Sequence, residues 1–498
     1  MIMRIDTIRL DEDSETPLYL KLADFLRSAI LSGEAEGGER LPSIRRLSDA
    51  AGVNPATAVA AYRILEREGW AVARAGSGVY VREGNAPREA AARNREDGAL
   101  ADLASGRVVV PAGVLDMAAG APSPGLFPAS IFKALMDEVL DRDGGWAFGY
   151  QESSGWQPFR HALADYLRSS QAVDADLGDI SVISGAQQGI DIAAKALLGS
   201  RDAVAVETPT YRGALAVFWS RGAETIGIPV DRDGMDLSAL EVAARTRKLR
   251  LVYVIPRYQN PTTVCWSGER MRGLLALAER HDFWILEDDL LSDLSFGERR
   301  SPTCLKSVDA ADRVIYLRSF SKVLMPGLRL GAMVGPRQLR DRMEGAKRAT
   351  DIATDGLVQR ALELYLRRNL HQAQLERLRA HYGEVYASSV RAATSLASLG
   401  VSFDPPGGGL HLWLRLPPGI SGVALRGAAL ARGCAVVPEA VYVAGTHESG
   451  DSHVRVSFAA LSAREAETGI AILGEALAAL PALPGPAGLR SASVRPLL

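Results

Sequence analysis

The stretch SFSKVLMPGLRLG, residues 319–331, places several reactive side chains on one short turn. Lys322 comes just after Ser319 and Ser321, and Arg329 follows seven residues later between leucines and close to glycines. An amine can condense with an aldehyde once it has lost its proton. Hydroxyl groups and a planar guanidinium are suited to holding a phosphate. The combination predicts a site for a phosphorylated aldehyde.

Other motifs supply groups that one such aldehyde, pyridoxal phosphate, requires. In ISVISGAQQGI a strand is followed by Gly185, Ala186 and Gln187 at the start of a helix, where free backbone N–H groups attract an anion. Tyr211, in VETPTYRG, follows the next strand and could stack on the cofactor ring. Asn260, in IPRYQNPTT, could donate to the phenolate oxygen. Together these motifs predict that the chain binds pyridoxal phosphate.

The acidic end of a further strand, in FWILEDDLLSDL, has two interpretations. A carboxylate there could face the pyridine nitrogen and keep it protonated, which would make the ring an electron sink. Alternatively, Glu287, Asp288 and Asp289 form a solvated acidic loop. The residues by themselves leave both interpretations open.

Apolar strand-like runs alternate with helical segments from about residue 113 to residue 480. The runs are ISVIS, AVAVE, LRLVYVIP, FWILED, VIYLRS and GAMVG. Such alternation is typical of a largely parallel sheet with helices on both faces. The large region is therefore predicted to have an α/β fold.

The first 84 residues have a different pattern, that of short helices followed by a hairpin. Helical spacing in TPLYLKLADFLRSAILSG predicts one amphipathic helix. Ser43 can cap a second helix that ends at Gly52, and Asn54 can cap a third that ends at Gly69. The run WAVARAGSGVYVRE predicts two strands around a turn. This is the pattern of a DNA-binding winged helix-turn-helix, although a helical domain with an unrelated hairpin also fits it.

Bulk composition limits the classes of function. The net charge of −2 gives no general indication of nucleic acid binding, but seven arginines stand against three acidic residues from Arg40 to Arg82. No stretch reaches the roughly 18 apolar residues of a membrane span, and the start of the chain does not resemble a signal peptide. We therefore expect a cytoplasmic protein with no membrane partner. Cys265, Cys304 and Cys434 are too widely spaced to indicate a disulfide framework or a zinc site, so we predict no metal.

The order of the motifs resembles a known family. Residues 115–478 are similar to the fold type I aminotransferases, and the first 84 residues are similar to the GntR-type winged helix-turn-helix. The fusion resembles the MocR group of bacterial transcriptional regulators. The motifs that carry the resemblance are ERLPSIRRLSDAAGV, ATAVAAYRILEREG, SGAQQGI, ETPTY, QNPT, EDD, SFSK, PGLRLG, GGGLHLWL and VRVSF.

The resemblance implies an N-terminal winged helix-turn-helix joined to a pyridoxal-phosphate-dependent transferase fold of type I. In that fold the large domain has a mostly parallel sheet, and the smaller C-terminal domain is α+β. The predicted segments are a DNA-binding domain over 1–84, a linker over 85–112, an aminotransferase-like domain over 113–480 with its small subdomain from about 375, and a tail over 481–498.

The resemblance also implies a role for each site residue by its position. Lys322 would form the Schiff base with pyridoxal phosphate, Asp288 would face the pyridine nitrogen, and Asn260 would face the phenolate oxygen. Tyr211 would stack on the ring. The residues expected to bind the phosphate are Ala186, Gln187, Ser319, Ser321 and Arg329.

Contacts with partners are implied in the same way. Tyr150 in FGYQESSGWQPFR would reach the phosphate of the partner subunit, which implies a homodimer. Arg455 in HVRVSF would hold the carboxylate of a small amino-compound effector through two parallel bonds. A double-stranded DNA operator would be contacted at the second helix, the recognition helix and the wing tip, mostly through its phosphates. The residues expected there are Arg40, Ser43, Arg45, Arg46, Ala56, Thr57, Gly76, Ser77 and Gly78.

Two positions depart from the family pattern. Three residues after Asp288 the family usually has a tyrosine that donates to the phenolate oxygen, and this chain has Leu291. Leucine donates no hydrogen bond, so we expect poor transamination even with cofactor bound. The glycine that often follows NPT is Thr263, which would crowd the pocket or reshape its rim.

The sequence therefore predicts a DNA-binding transcriptional regulator whose aminotransferase-like domain holds pyridoxal phosphate and senses an amino compound, or pyridoxal phosphate itself. Two alternatives stay open. One is a working aminotransferase with a vestigial DNA-binding domain, against which Leu291 counts. The other is a regulator that no longer binds the cofactor and uses the fold only to dimerise.

Overall fold

The structure is a computed structural model that describes residues 18–32, 35, 38–67, 70–74, 77–81, 110, 113–296, 303–443 and 451–480. The chain divides into two compact units, residues 1–102 and residues 103–498. Each unit has a hydrophobic core of its own.

The first unit consists of three helices and a two-stranded hairpin. Its elements are α1 (Leu18–Ser32), α2 (Ile44–Ala51), α3 (Pro55–Arg67), β1 (Ala71–Arg74) and β2 (Gly78–Val81). Leu22 and Leu26 of α1 are fully buried, as expected of an amphipathic helix, and Leu47 and Tyr62 belong to the same core. The two strands are antiparallel, with Val72 opposite Tyr80. The predicted order of helices and strands is confirmed.

The ends of the short helices follow the predicted capping chemistry. The Ser43 hydroxyl accepts a 3.3 Å hydrogen bond from the Arg46 backbone N–H, and α2 stops at Gly52, whose φ of 65° suits glycine. Asn54 Oδ1 accepts from the Ala56 N–H at 2.9 Å. The predicted terminator of α3, Gly69, lies outside the described residues.

An eight-stranded sheet forms the centre of the second unit. The strands are β4 (Ile180–Ile183), β5 (Ala203–Thr208), β6 (Glu224–Asp231), β7 (Gly234–Met235), β8 (Leu249–Val254), β9 (Trp284–Asp289), β10 (Val314–Ser319) and β11 (Gly331–Val334), in the order β4-β11-β10-β9-β8-β5-β6-β7. Strand β11 is antiparallel to both neighbours and β7 is antiparallel to β6, whereas the remaining pairs are parallel. All six predicted runs are strands, and β6 and β7 were not predicted.

Helices cover both faces of this sheet because the strands are apolar on both sides. Val204 and Val206 of β5 share one core with Leu215, whereas Ala205 shares another core with Leu240. The helices of this unit are α4 (Ala129–Asp143), α5 (Gln157–Gln171), α6 (Ala186–Leu197), α7 (Arg212–Ser220), α8 (Leu237–Thr246), α9 (Gly268–His281), α10 (Arg340–Asp351), α11 (Gly356–Arg367), α12 (Leu370–Ser395), α13 (Gly422–Leu430) and α14 (Ala463–Ala478).

A small antiparallel sheet lies in the C-terminal part of the same unit. It contains β12 (His411–Arg415), β14 (Val437–Pro438) and β15 (His453–Ser457), in the order β12-β15-β14. The first strand of the unit, β3 (Leu115–Asp116), pairs in parallel with β13 (Cys434–Ala435). The segment that contains β3 is therefore tied to the C-terminal part of the chain. Among the described residues, no helix combines the length and the apolar character needed to cross a membrane.

Candidate cofactor and effector site

A cavity of about 360 Å³ lies where several strands of the large sheet end. Ten of the predicted site residues line it: Ala186, Gln187, Tyr211, Asn260, Asp288, Ser319, Ser321, Lys322, Arg329 and Arg455. The other lining residues are Gly120, Leu290, Leu291, Pro326, Leu410, His411 and Ser457. Thr263 is not among the residues that line the cavity, and its φ of 65° is one that glycine would adopt more easily.

The parallel sheet explains why residues far apart in the sequence meet in this cavity. Ala186 follows the end of β4, Tyr211 follows β5, and Asn260 follows β8. Asp288 lies at the end of β9, and Lys322 follows β10. The carboxyl ends of parallel strands share one edge of a sheet, and that edge is the usual ligand site of such folds.

Lys322 is a largely buried amine with one close acceptor. Its Nζ donates to the backbone carbonyl of Gly120 at 2.6 Å. Burial, followed by the charges of Arg455 and Arg329, lowers the pKa of Lys322 to about 8. A sizeable fraction of the amine is therefore neutral, and so nucleophilic, slightly above neutral pH.

Asp288 has one carboxylate oxygen bound and one free. Tyr253, on β8, donates its hydroxyl proton to Oδ2 of Asp288 at 2.8 Å. Oδ1 is buried and has no hydrogen-bond partner within the described residues. Burial raises the pKa of Asp288 to about 7, while the Tyr253 hydrogen bond acts in the opposite direction. A cationic donor opposite Oδ1 would satisfy this oxygen and favour the ionised form.

The neighbours of Asp288 on β9 are held by other buried groups. Glu287 accepts from the backbone N–H groups of Leu305 and Lys306, each at 2.8 Å. Asp289 is paired with Arg257 at 2.5 Å and with Arg318 at 3.0 Å. All three acidic residues are buried. The alternative of a solvated acidic loop is therefore wrong.

An anion cradle is formed at the start of α6. Gly185, with a φ of 86°, precedes the first turn, where backbone N–H groups are free. The Arg329 guanidinium donates to the Ser184 carbonyl at 2.8 Å. A Cβ atom at position 185 would lie 2.7 Å from Arg329 Nη2, so any larger residue would displace the guanidinium as well as strain the backbone. Ser319 and Ser321 lie on the same cavity wall, and the Ser321 N–H donates to the Ser319 hydroxyl at 3.2 Å.

The side chains predicted to contact the cofactor ring and the effector form hydrogen bonds with other side chains or with nearby backbone. The Tyr211 hydroxyl donates to Gln187 Oε1 at 3.1 Å. Arg455 Nη1 donates to Asn260 Oδ1 at 3.0 Å, and its Nη2 donates to the Ala118 carbonyl at 2.6 Å. Arg455 Nε is buried without a hydrogen-bond partner among the described residues.

Tyr150 is the predicted cofactor residue that does not line the cavity. It is 91% exposed in the single chain, and Trp146 and Phe148 beside it are 83% and 71% exposed. Its predicted contact with the cofactor of a partner subunit is not tested within one chain.

Most of the predicted DNA-binding residues are exposed in the first unit. Ser43, Arg45 and Arg46 lie at the N-terminal end of α2, and Ala56 and Thr57 lie in the first turn of α3. Thr57 is half-buried, and the other four are exposed.

The remaining predicted DNA-binding residues belong to the hairpin. The backbone of Arg40 forms an isolated antiparallel β-bridge with Tyr80. The guanidinium of Arg40 lies against Gly78, whose φ of 119° suits glycine. Ser77 is exposed and close to the Tyr80 hydroxyl, at 2.5 Å. Gly76 lies outside the described residues.

Two side chains were not predicted from the sequence: His411, which lines the cavity, and Tyr253, which donates to Asp288. Tyr253 is the one aromatic residue in the aliphatic run LRLVYVI, which is a weak signal for a polar partner on the next strand. His411 interrupts the apolar run of GGGLHLWL, a motif used only as part of a resemblance. Its buried position beside Arg455 could not be read from the sequence.

Two family models match this chain. The family model described as "Aminotransferase class I and II" matches residues 112–473, and the one described as "Bacterial regulatory proteins, gntR family" matches residues 18–81. The first match covers well over half of the chain.

The relatives include both regulators and enzymes. The chain is 33% identical to the probable rhizopine catabolism regulatory protein MocR of Rhizobium meliloti, over 75% of this chain and 77% of that protein. It is 28% identical to the HTH-type transcriptional regulator TauR of Rhodobacter capsulatus, over 96% of this chain and 100% of that protein. The solved structure of Pyrococcus horikoshii kynurenine aminotransferase, in complex with PMP, is 30% identical with a TM-score of 0.70, covering 77% of this chain and 94% of that one.

Proposed function

Because the chain belongs to the class I and II aminotransferase family and carries a GntR-family domain ahead of that region, we propose that it is a DNA-binding transcriptional regulator that senses a small amino compound. The observation that carries this proposal is that the chain combines a GntR domain with a cavity lined by an amine, a carboxylate and guanidinium groups. The TauR match, which spans nearly the whole chain, supports the same arrangement.

The residues of the cavity fit pyridoxal phosphate, the cofactor implied by the family. The unpartnered Oδ1 of Asp288 suits the protonated ring nitrogen, and the cradle of Gly185 and Arg329 suits the phosphate. When bound, this cofactor supplies an aldehyde that condenses with primary amines. We predict that Lys322 provides the protein's own amine. Burial lowers the pKa of this amine, so it loses its proton more easily.

The same side chains that would meet the effector also hold one backbone segment. Lys322 donates to the carbonyl of Gly120, and Arg455 donates to the carbonyl of Ala118. A ligand carboxylate on Arg455 would compete for the donor that now binds Ala118. Because this segment follows directly after the linker, its release would change the restraint on the chain leading to the DNA-binding domain. A ligand shifts such an equilibrium only by its different affinities for the two arrangements.

The family and the exposed aromatic side chains support the finer features of this function. The exposed aromatic residues at 146, 148 and 150 favour a homodimer in which Tyr150 reaches the partner subunit. Two DNA-binding domains would then contact two half-sites of a double-stranded operator. A protein that controls transcription acts where the DNA is, so the proposed location is the cytoplasm.

A second candidate function is that of a working aminotransferase with a vestigial DNA-binding domain. The intact amine and carboxylate pair of Lys322 and Asp288 favours it. Leu291 counts against it, because a buried leucine in the cavity wall gives no hydrogen bond to a phenolate oxygen. Steady turnover of an amino donor with a keto acid would distinguish the two.

The first experiment is to load the purified full chain with pyridoxal phosphate and record its absorption while amines and vitamin B6 forms are added. We expect a coloured protein whose spectrum changes with some amines, and whose colour survives dialysis. Borohydride should fix the label to Lys322, and Lys322→Ala should abolish it. A colourless protein after loading would refute cofactor binding and with it the sensing function.

A further inference from the structure

Gln188 is the second glutamine of the GAQQG motif, and its side chain joins two segments of the chain behind the anion cradle. It lies in the first turn of α6, directly after Gln187, but unlike Gln187 it does not line the cavity. Its Oε1 accepts a hydrogen bond from the backbone N–H of Ser184 at 2.6 Å, and its Nε2 donates to Oδ2 of Asp351 at 2.7 Å. Both ends of the amide are therefore engaged, and none of the roles proposed above uses them.

Ser184 is the residue whose carbonyl orients the arginine of the cradle. Strand β4 ends at Ile183, and Ser184 then leads into Gly185, with its φ of 86°. The N–H of Ser184 is held by Gln188, and its carbonyl accepts from Arg329 at 2.8 Å. The Arg329 side chain is exposed and long, so a fixed acceptor reduces the conformational entropy that it loses when it binds an anion. Gln188 thus fixes the backbone that holds Arg329.

Asp351, the last residue of α10, is the anchor at the far end of Gln188. Its Oδ1 and Oδ2 accept from Lys347 Nζ at 2.9 and 3.0 Å, and Lys347 is fully buried. Lys347 Nζ also donates to the Thr354 hydroxyl at 3.0 Å. Separating this ammonium from its carboxylate would leave a buried charge uncompensated, which is costly. Asp351 is therefore a rigidly held acceptor for Gln188.

We infer that Gln188 and Asp351 are positioning residues of the phosphate site, because they hold Ser184 so that its carbonyl keeps Arg329 at the cradle before any ligand binds. This inference rests on the proposed function, because it presumes that the phosphate of pyridoxal phosphate occupies the cradle. Neither side chain lines the cavity. A guanidinium that is already in place costs less to organise on binding, so the two residues favour phosphorylated over unphosphorylated forms of the vitamin.

The test compares two aldehydes that differ only in the phosphate. Full chain without cofactor is titrated, by absorption, with pyridoxal phosphate and with pyridoxal, and the ratio of the two dissociation constants is compared between proteins. Gln188→Leu removes both hydrogen bonds of the Gln188 amide. Gln374→Leu is the matched control, since Gln374 donates to the backbone carbonyl of Leu126 at 2.9 Å and does not line the cavity. The solution equilibria of each free aldehyde are the same for all the proteins, so they cancel.

We expect Gln188→Leu to weaken the binding of pyridoxal phosphate by about tenfold and to leave the binding of pyridoxal nearly unchanged. Gln374→Leu should keep the wild-type ratio. Equal losses for both aldehydes, no loss for either, or the same change of ratio in Gln374→Leu would overturn the inference while the proposed function stands. A wild type that binds neither aldehyde would instead refute the proposed function.

A second variant keeps the test decisive if Gln188→Leu does not fold. The double change Lys347→Met with Asp351→Leu removes the anchor without leaving a buried charge, and it retains Gln188. We expect it to lose affinity for pyridoxal phosphate selectively, with a smaller change of ratio than Gln188→Leu. Hydrogen exchange of the Ser184 amide, measured without ligand, reports the hydrogen bond to Gln188 directly. Faster exchange in either variant supports the inference, and unchanged exchange in both would overturn it.

Discussion

Asp288 lines the cavity and accepts a hydrogen bond from Tyr253. The tyrosine hydroxyl leaves one carboxylate oxygen free and favours the ionised form, whereas burial favours the neutral form. The ionised form is needed opposite a protonated ring nitrogen. Tyr253 is therefore a positioning residue, since it acts on the cofactor through Asp288.

We predict that Tyr253→Phe raises the pKa of Asp288 further and weakens cofactor binding at neutral pH by about tenfold. Loss of a proton from Asp288 accompanies binding, so affinity should rise as pH increases through about 7 in the wild type. The midpoint of that rise should move to higher pH in the variant. The measurement is the dissociation constant of pyridoxal phosphate as a function of pH for both proteins. The titration of the free cofactor is the same for both, so it cancels when the two proteins are compared.

Tyr80→Phe, in the first unit, removes a tyrosine hydroxyl far from the cavity residues in sequence and serves as the control for Tyr253→Phe. An unchanged pH midpoint in Tyr253→Phe would show that the hydroxyl does not set the charge of Asp288. That outcome would leave burial and the charge of Asp289 as the causes that determine the pKa of Asp288.

At the scale of elements, the short helix α2 depends on its caps. The Ser43 hydroxyl satisfies the Arg46 N–H, and Gly52 ends the helix in a left-handed conformation. An eight-residue helix has little stability of its own, so the loss of one cap removes a large share of the helix's stability.

We predict that Ser43→Ala lowers the free energy of unfolding of the DNA-binding unit by about 1 kcal/mol. Ser43→Asn, which keeps a capping acceptor, should restore most of it. Hydrogen exchange of the α2 amides in the full chain measures this directly. If Ser43→Ala leaves exchange unchanged and only weakens DNA binding, Ser43 acts as a contact to the operator and not as a cap.

The six strands that the sequence predicted are apolar runs buried on both faces, such as the one ending in Val254 or in Ser319. Strand β6 was missed because Gly227 and Pro229 interrupt ETIGIPVD, and both usually mark turns. Ten of the cavity residues could be predicted because each lies within a strand or shortly after one, in a recognisable motif. Tyr253 and His411 could not, because only the folded sheets bring Tyr253 to Asp288 and His411 to the cavity.

At the scale of the whole molecule, the exposed aromatic cluster Trp146, Phe148 and Tyr150 predicts the assembly. Three large rings within five residues are highly exposed, and exposed apolar surface of this kind can mark a protein–protein interface. We predict that the wild type is a dimer, and that the double change Trp146→Glu with Phe148→Glu shifts it toward monomer. Sedimentation velocity measures the shift, and Val242→Glu, a change at another exposed apolar residue, is the control.

Loss of the dimer should also loosen the cofactor, because the predicted contact of Tyr150 with the partner's phosphate would be lost. A double variant that remains dimeric, or a wild type that is monomeric at micromolar concentration, would contradict this assembly. Neither result tests the domain boundaries proposed from the sequence.

We propose that chemistry at Lys322 controls DNA binding by the first unit. The most direct measurement is the affinity of the full chain for the DNA next to its gene, by fluorescence anisotropy, with and without an amine that changes the cofactor spectrum. We expect the amine to alter the affinity of the wild type, and Lys322→Ala to bind DNA without responding to the amine. A Lys322→Ala variant that responds to the amine as the wild type does would contradict the claim.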